Sequence, residues 1–162
     1  MKILFIQTGG TIDKDYPKIN AGYAFEIDEP AVSRVLEKSF SGFEFNVVSL
    51  FKKDSMDILE EDRLALKAML LSTDYSKIIV THGSDTMVET AQFVGNVKNK
   101  TILFTGSYRP QRFAESDADF NIGVAVGAIN VLSEGTFIAM NGKIMPPETC
   151  YKHPGTGLFE IR

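Results

Sequence analysis

One pattern constrains this chain more than any other: a short, unbroken apolar run that stops at a turn of glycine and hydroxyl residues. Residues 3–6 run into Gln7-Thr8-Gly9-Gly10, residues 77–81 into His82-Gly83-Ser84-Asp85, and residues 101–105 into Gly106-Ser107. Runs of this length without alternation are strands buried on both faces. Segments with helical period lie between them: residues 29–40, with Ala31, Val32, Val35 and Leu36 apolar, then residues 59–71, 86–94 and 120–132. Residues 43–51 and 136–140 read as further strands. Residues 12–28 read as a polar loop or loose hairpin, 108–117 as a polar loop, and 141–162 as irregular. Strands alternating with helices predict an α/β fold, a three-layer and mostly parallel sheet with helices on both faces, Rossmann-like or flavodoxin-like. A chain of 162 residues suits a single domain over 1–162 with a real core.

Composition narrows the function. With 44% apolar and 23% charged residues the chain is not of the disordered class. A net charge of −4, with no basic cluster longer than Lys52-Lys53, argues against nucleic acid and anionic membranes as partners. The N-terminal apolar run is too short for a signal peptide, and no run approaches membrane length. The single cysteine, Cys150, excludes a disulfide within the chain. A cytoplasmic protein is expected.

The turns carry the chemistry. Glycine lets backbone N–H groups face a site and hold developing negative charge. A hydroxyl on a sharp turn becomes a nucleophile when a base is near. Parallel sheets bind ligands beyond the C-terminal ends of their strands, where these turns fall. G-x-G-x-x-G, the phosphate-binding P-loop and the G-x-S-x-G elbow do not occur. Two histidines and one cysteine make a poor metal set, so no metal is expected, and with the dinucleotide and P-loop fingerprints missing no organic cofactor is indicated. His82 either lines the site or makes a structural hydrogen bond, and His153 reads as a loop histidine. Met56, Met69 and Met87 read as core residues.

The sequence Thr8-Gly9-Gly10-Thr11-Ile12, with His82-Gly83-Ser84-Asp85-Thr86-Met87 some seventy residues later and Glu89-Thr90-Ala91 after it, resembles the bacterial-type L-asparaginases. The similarity runs from Lys2 to about residue 155. It matches the N-terminal domain of a usual member, without the smaller C-terminal domain, as in a short, single-domain branch. The resemblance implies that Thr11 is the nucleophile, partnered by Tyr23 in the following loop, with Tyr16 a weaker candidate. Ser84 and Asp85 match the hydroxyl and carboxylate of the second motif, serine standing where threonine is more usual. A gap-free count past the strand at 137–141 places the family lysine at Lys152. Asp54 and Ser55 match the loop that holds the substrate α-carboxylate, Ser55 directly. Ser107 matches the position whose carbonyl meets the substrate amide, and Gly10 and Gly83 adjoin the substrate. From the residues alone, Tyr23 could be a packing residue, Asp85 and Ser55 helix caps, and Lys152 a surface lysine.

The implied reaction is hydrolysis of L-asparagine to L-aspartate and ammonia through an acyl-enzyme, with Asp85 on the substrate amine. Two routes could take the Thr11 proton: Tyr23, or Lys152 acting through Ser84. A lysine base must first be made less basic by its surroundings. Two alternatives stand beside this reading, a non-catalytic module that binds a small amino acid and an amidase for another amide such as glutamine. A homo-oligomer, at least a dimer, is expected through the apolar segment 120–132. The polar loop after Thr11 is expected to close over substrate.

Overall fold

The computed structural model describes residues 1–18 and 25–162. The main sheet has six strands, β4 (Glu44–Lys53), β1 (Lys2–Gly9), β5 (Lys77–Thr81), β6 (Thr101–Thr105), β7 (Gly135–Met140) and β8 (Lys143–Met145), in that spatial order. The first five run parallel and β8 is antiparallel to β7. By sequence the parallel strands lie in the order 2-1-3-4-5, the flavodoxin-like arrangement. The chain therefore reverses its direction of winding between β1 and β5, and an open α/β sheet forms its ligand crevice at such a point.

Strand pleating divides the core. Leu4, Ile6, Ile78, Val80, Ile102 and Phe104 face α2 (Glu60–Ser72) and α3 (Met87–Val94), which bury Leu66, Leu70, Met87 and Ala91 against them. The alternate residues Ile3, Phe5, Ile79 and Leu103 face α1 (Ala31–Lys38) and α4 (Ala118–Ile129), meeting Val32, Val35, Leu36, Ile122 and Ile129. Because both faces are covered, these strands read as continuous apolar runs. The acidic start of α2 has a local cause: Asp62 accepts a 2.8 Å hydrogen bond from Leu59 N, and the carboxylates of the first turn face the positive helix end.

Three expectations need correction. The tail from 141 onward is not irregular: it holds β8, then the antiparallel pair β9 (Cys150–Lys152) and β10 (Phe159–Ile161), with Phe159 fully buried. Asn141 and Gly142, at φ 55° and 75°, form the two-residue turn between β7 and β8 that an Asn-Gly pair favours. Strands of three residues are too short to show a period. α4 starts two residues earlier and ends three earlier than the apolar run, because Asp117 and Asp119 make its first turn look like loop. Met56 is not a core residue: it stands 70% exposed, whereas Met87 is fully buried. Residues 12–28 do form a loose hairpin in their described part, through the short antiparallel pair β2 (Lys14–Asp15) and β3 (Glu26–Ile27).

Candidate active site

The site is built where the C-terminal ends of β1, β5 and β6 meet. Its frame is a set of backbone contacts that only glycine permits. A Cβ on Gly10, at φ 86°, would lie 2.4 Å from both Cα and N of Gly83. A Cβ on Gly83 would in turn lie 2.6 Å from Cβ of Ser55, and one on Gly106 would lie 2.3 Å from the His82 carbonyl. Gly10 N donates to Lys53 O at 2.9 Å, and His82 N donates to Thr105 O at 2.9 Å. Thr86 Oγ1 donates to Ser55 O at 2.7 Å. Four chain segments are thereby packed closely, with only the small Ser55 side chain against Gly83, and Thr11 and Ser84 flank the Gly10–Gly83 contact. Gly10→Ala combines an unfavourable φ with a backbone overlap, so we expect a stability loss of roughly 2–5 kcal/mol in urea unfolding. Wild-type stability in this variant would mean that the contact is not close.

Lys152 completes the group. The gap-free count put it here, and β9 delivers it: its Nζ lies 2.9 Å from Ser84 Oγ and 2.7 Å from Asp85 Oδ1. It also stands 5.6 Å from the centroid of the Tyr108 ring, close enough for a cation–π contact. Tyr108 is held by its hydroxyl, which bonds Asn141 Oδ1 at 3.0 Å and Gly157 O at 2.7 Å, so it fixes the β7–β8 turn and the tail that carries the lysine. Asp85 is not a helix cap: Thr86 holds the cap position of α3, and the Asp85 carboxylate turns to Lys152. A cavity of about 380 Å³ opens beside this pair, lined by Asp85, Glu89, Glu148, Tyr151, Lys152 and Arg162 among others.

The remaining candidates sort by position. Ser55 is 2% exposed and packed against Gly83, while Asp54 caps its own short turn by accepting from Met56 N and pairs with Lys14 at 2.9 Å. Ser107 is buried at the end of β6. Tyr16 is exposed and meets Phe25 edge to face rather than the site. The expectation for Tyr23 lies outside the described residues. His82 is fully buried beside Phe104, with its Nδ1 2.8 Å from Gly83 O; the Nδ1-protonated tautomer donates that bond, and Nε2 has no partner among the described residues. His153 sits in the turn before β10, its Nδ1 accepting from Gly155 N and Thr156 N at 3.1 Å.

Two residues of this region were not singled out from the sequence, Asp13 and Gln7. Asp13 Oδ1 accepts from Ala31 N at 2.8 Å, its carbonyl accepts from Asp28 N at 3.0 Å, and Thr81 Oγ1 lies 3.5 Å from Oδ2. Gln7 Nε2 donates to Asp28 O at 2.8 Å. Together they pin the far end of the hairpin directly behind Thr11. No sequence pattern marks a charged residue that will be buried; only the placement of Asp13 immediately after the apolar Ile12 hints at it.

Burial sets opposed pH dependences on Asp13 and His82. Burial raises the Asp13 carboxyl to about 7, against the lowering effect of the Ala31 N–H. From about pH 4 to 7 the folded chain thus keeps a proton that the unfolded chain has lost, and stability from this group falls as pH rises. Burial lowers the His82 imidazole from 6.5 to about 4. Between those values the unfolded chain binds the extra proton, and stability from this group rises with pH. The two slopes offset one another in the wild type. Asp13→Asn should leave the His82 slope bare, a gain on the order of 3 kcal/mol from pH 4 to 6.5 in urea unfolding. A pH profile in Asp13→Asn unchanged from wild type would contradict a buried, protonated Asp13.

A glycine turn carrying a hydroxyl, a lysine on a second hydroxyl and a neighbouring carboxylate, at the switch point of an open α/β sheet, define a hydroxyl–lysine site. The chain belongs to the asparaginase family: the family model described as asparaginase, N-terminal, matches residues 2–158. It is 32% identical over 139 residues to the probable L-asparaginase 1 of Schizosaccharomyces pombe, covering 80% of this chain and 37% of that one. Among solved structures it resembles the thermostable L-asparaginase from Thermococcus kodakarensis (TM-score 0.84, 24% identity) over 99% of this chain and 51% of that one. It also resembles a probable cytoplasmic L-asparaginase from Campylobacter jejuni (TM-score 0.79, 25% identity) over the same shares. The chain thus spans about half the length of these structures and less of the curated relative. Among the described residues, no helix is long and apolar enough to cross a membrane.

Proposed function

We propose that the chain hydrolyses L-asparagine to L-aspartate and ammonia, with Thr11 as nucleophile. The observation that carries the reading is the contact of Lys152 with both Ser84 and Asp85 beside the Gly10–Gly83 junction. The Thr11 hydroxyl attacks the side-chain amide carbon, and its proton passes toward Ser84 and Lys152 or to Tyr23. Backbone N–H groups at the junction stabilise the oxyanion. The C–N bond breaks, the amine leaves as ammonia after taking a proton, and a threonyl ester of aspartate remains. Water then cleaves the ester and restores the Thr11 hydroxyl. Asp85 has one carboxylate oxygen on Lys152, which leaves the other for the substrate amine; Ser55 and the adjoining N–H groups hold the α-carboxylate. The test is ammonia release from L-asparagine and from L-glutamine. Higher kcat/KM for asparagine supports the reading, higher kcat/KM for glutamine moves it to the other amide, and no ammonia from either leaves a binding module.

The same reading includes assembly of at least two copies and a cytoplasmic location, the latter in keeping with the Campylobacter neighbour. α4 supports the assembly. It buries Ala118, Ile122, Ala125 and Ile129 but leaves Phe120, Gly123 and Gly127 exposed along one stripe, with Val131 exposed just beyond its end. Space around Gly123 and Gly127 is open, which permits close approach of another helix. Phe120→Asp should shift the chain toward monomer in sedimentation across a dilution series. A wild-type monomer throughout that series would reject the assembly.

A further inference from the structure

A second cavity lies away from the Lys152 group, between α1 and the loop that precedes α4. It encloses about 340 Å³, and its walls include Arg34, Lys38, Gln111, Arg112 and Asp119. The balance of charge there is uneven. Lys38 pairs with Asp119, and Arg112 Nε donates to Asp15 Oδ2 at 2.7 Å. Arg34 has no carboxylate within ion-pair distance among the described residues, and residues 19–24 contain no acidic side chain to supply one. Its Nε donates to the neutral Gln111 Oε1 at 2.8 Å, and its Nη2 is buried without an acceptor among the described residues. Burial, and then the charge of Arg112, push the Arg34 guanidinium below its ordinary value. Two arginines in one wall, one of them with an unspent guanidinium donor, form a surface suited to an anion.

We propose that this cavity binds a small dianionic oxyanion, a phosphate or a dicarboxylate, between the guanidinium groups of Arg34 and Arg112. The geometry suits it, since Arg112 is held to Asp15 through a single Nε bond, from which a dianion can draw it. Lys38 and Asp119 at the rim neutralise each other, so the positive charge of the cavity comes from the two arginines. The bound anion competes with Asp15 for Arg112. Asp15 belongs to β2, four residues after Thr11, so occupancy of the cavity loosens or tightens the segment that follows the nucleophile.

Calorimetric titration of the whole chain with inorganic phosphate, and separately with succinate, at fixed ionic strength set by sodium chloride tests the site. One saturable site is expected with phosphate; succinate, which resembles the aspartate product, should show this site and a second one at the Lys152 group, and the tighter ligand at the Arg34-dependent site identifies the source of the dianion. Arg34→Gln and Arg112→Gln should each weaken binding at least about tenfold. Lys98→Gln should not weaken it, and Lys152→Met should remove only the second succinate site and leave phosphate binding unchanged, which separates this cavity from general charge and from the asparagine site. Asp15→Asn should tighten binding, because it frees Arg112; a merely structural pair would give no such gain. If Arg34→Gln does not fold, Arg34→Lys keeps the charge and should still weaken binding through loss of the planar donor pair. No saturable binding of either anion, or equal binding in the Arg34 variant, overturns the proposal.

Discussion

Thr11→Ala is expected to lower asparagine turnover by at least about a thousandfold while the chain stays folded. The loss follows from position. Thr11 directly follows the Gly10–Gly83 contact, so its hydroxyl is set by backbone that has little freedom to move. In the proposed scheme Ser84 passes the proton to Lys152 and does not attack, so it is not expected to take over from Thr11. Stability should hold for an equally specific reason. Thr11 contributes to its own turn through its carbonyl, which accepts from Lys14 N, and alanine keeps that bond. The measurement is steady-state ammonia release beside a thermal unfolding curve. Activity within tenfold of wild type in a folded variant would remove Thr11 from the chemistry.

Lys152→Met carries the second largest expectation, a fall in kcat of about a hundredfold or more with little change in KM. Methionine keeps the stem of the side chain and removes only the group that meets Ser84 and Asp85. Asp85→Asn should differ in kind. It leaves the lysine in place but weakens the grip on the substrate amine, so KM should rise along with the fall in kcat. The split between the two variants is the informative result. If Lys152→Met stays within twofold of wild type, the lysine is a structural partner of Asp85 and the proton leaves Thr11 by another route.

Much of this arrangement was legible because its causes are local. Strands covered on both faces must be apolar throughout, and the glycine turns that end them are visible as residues. The family motif led to Thr11, Ser84 and Asp85, and counting without gaps led to Lys152, which does reach Ser84 in the structure. Other features arise only from distant contacts. Tyr108 matters because the tail folds back to place Lys152 over its ring, and nothing in Tyr108-Arg109-Pro110 announces that. Asp13 is buried because α1 begins against it, its backbone N–H at Ala31 meeting the carboxyl. Gln7 reads as the end of an apolar run, yet its amide spans from Ser49 to Asp28 and ties β4 to the far end of the hairpin. The Asn141-Gly142 turn was present in the sequence in plain form; its strands were hidden by their shortness.

The central claim is a covalent one, that Thr11 carries the substrate's acyl group between two hydrolytic half-steps. Acid quenching of the chain during turnover of L-asparagine, followed by peptide mass analysis, tests it most directly. The account predicts an aspartyl ester on the peptide that contains Thr11, absent in Thr11→Ala. Turnover with no ester on that peptide, or an ester on Ser84 or another residue, would contradict it.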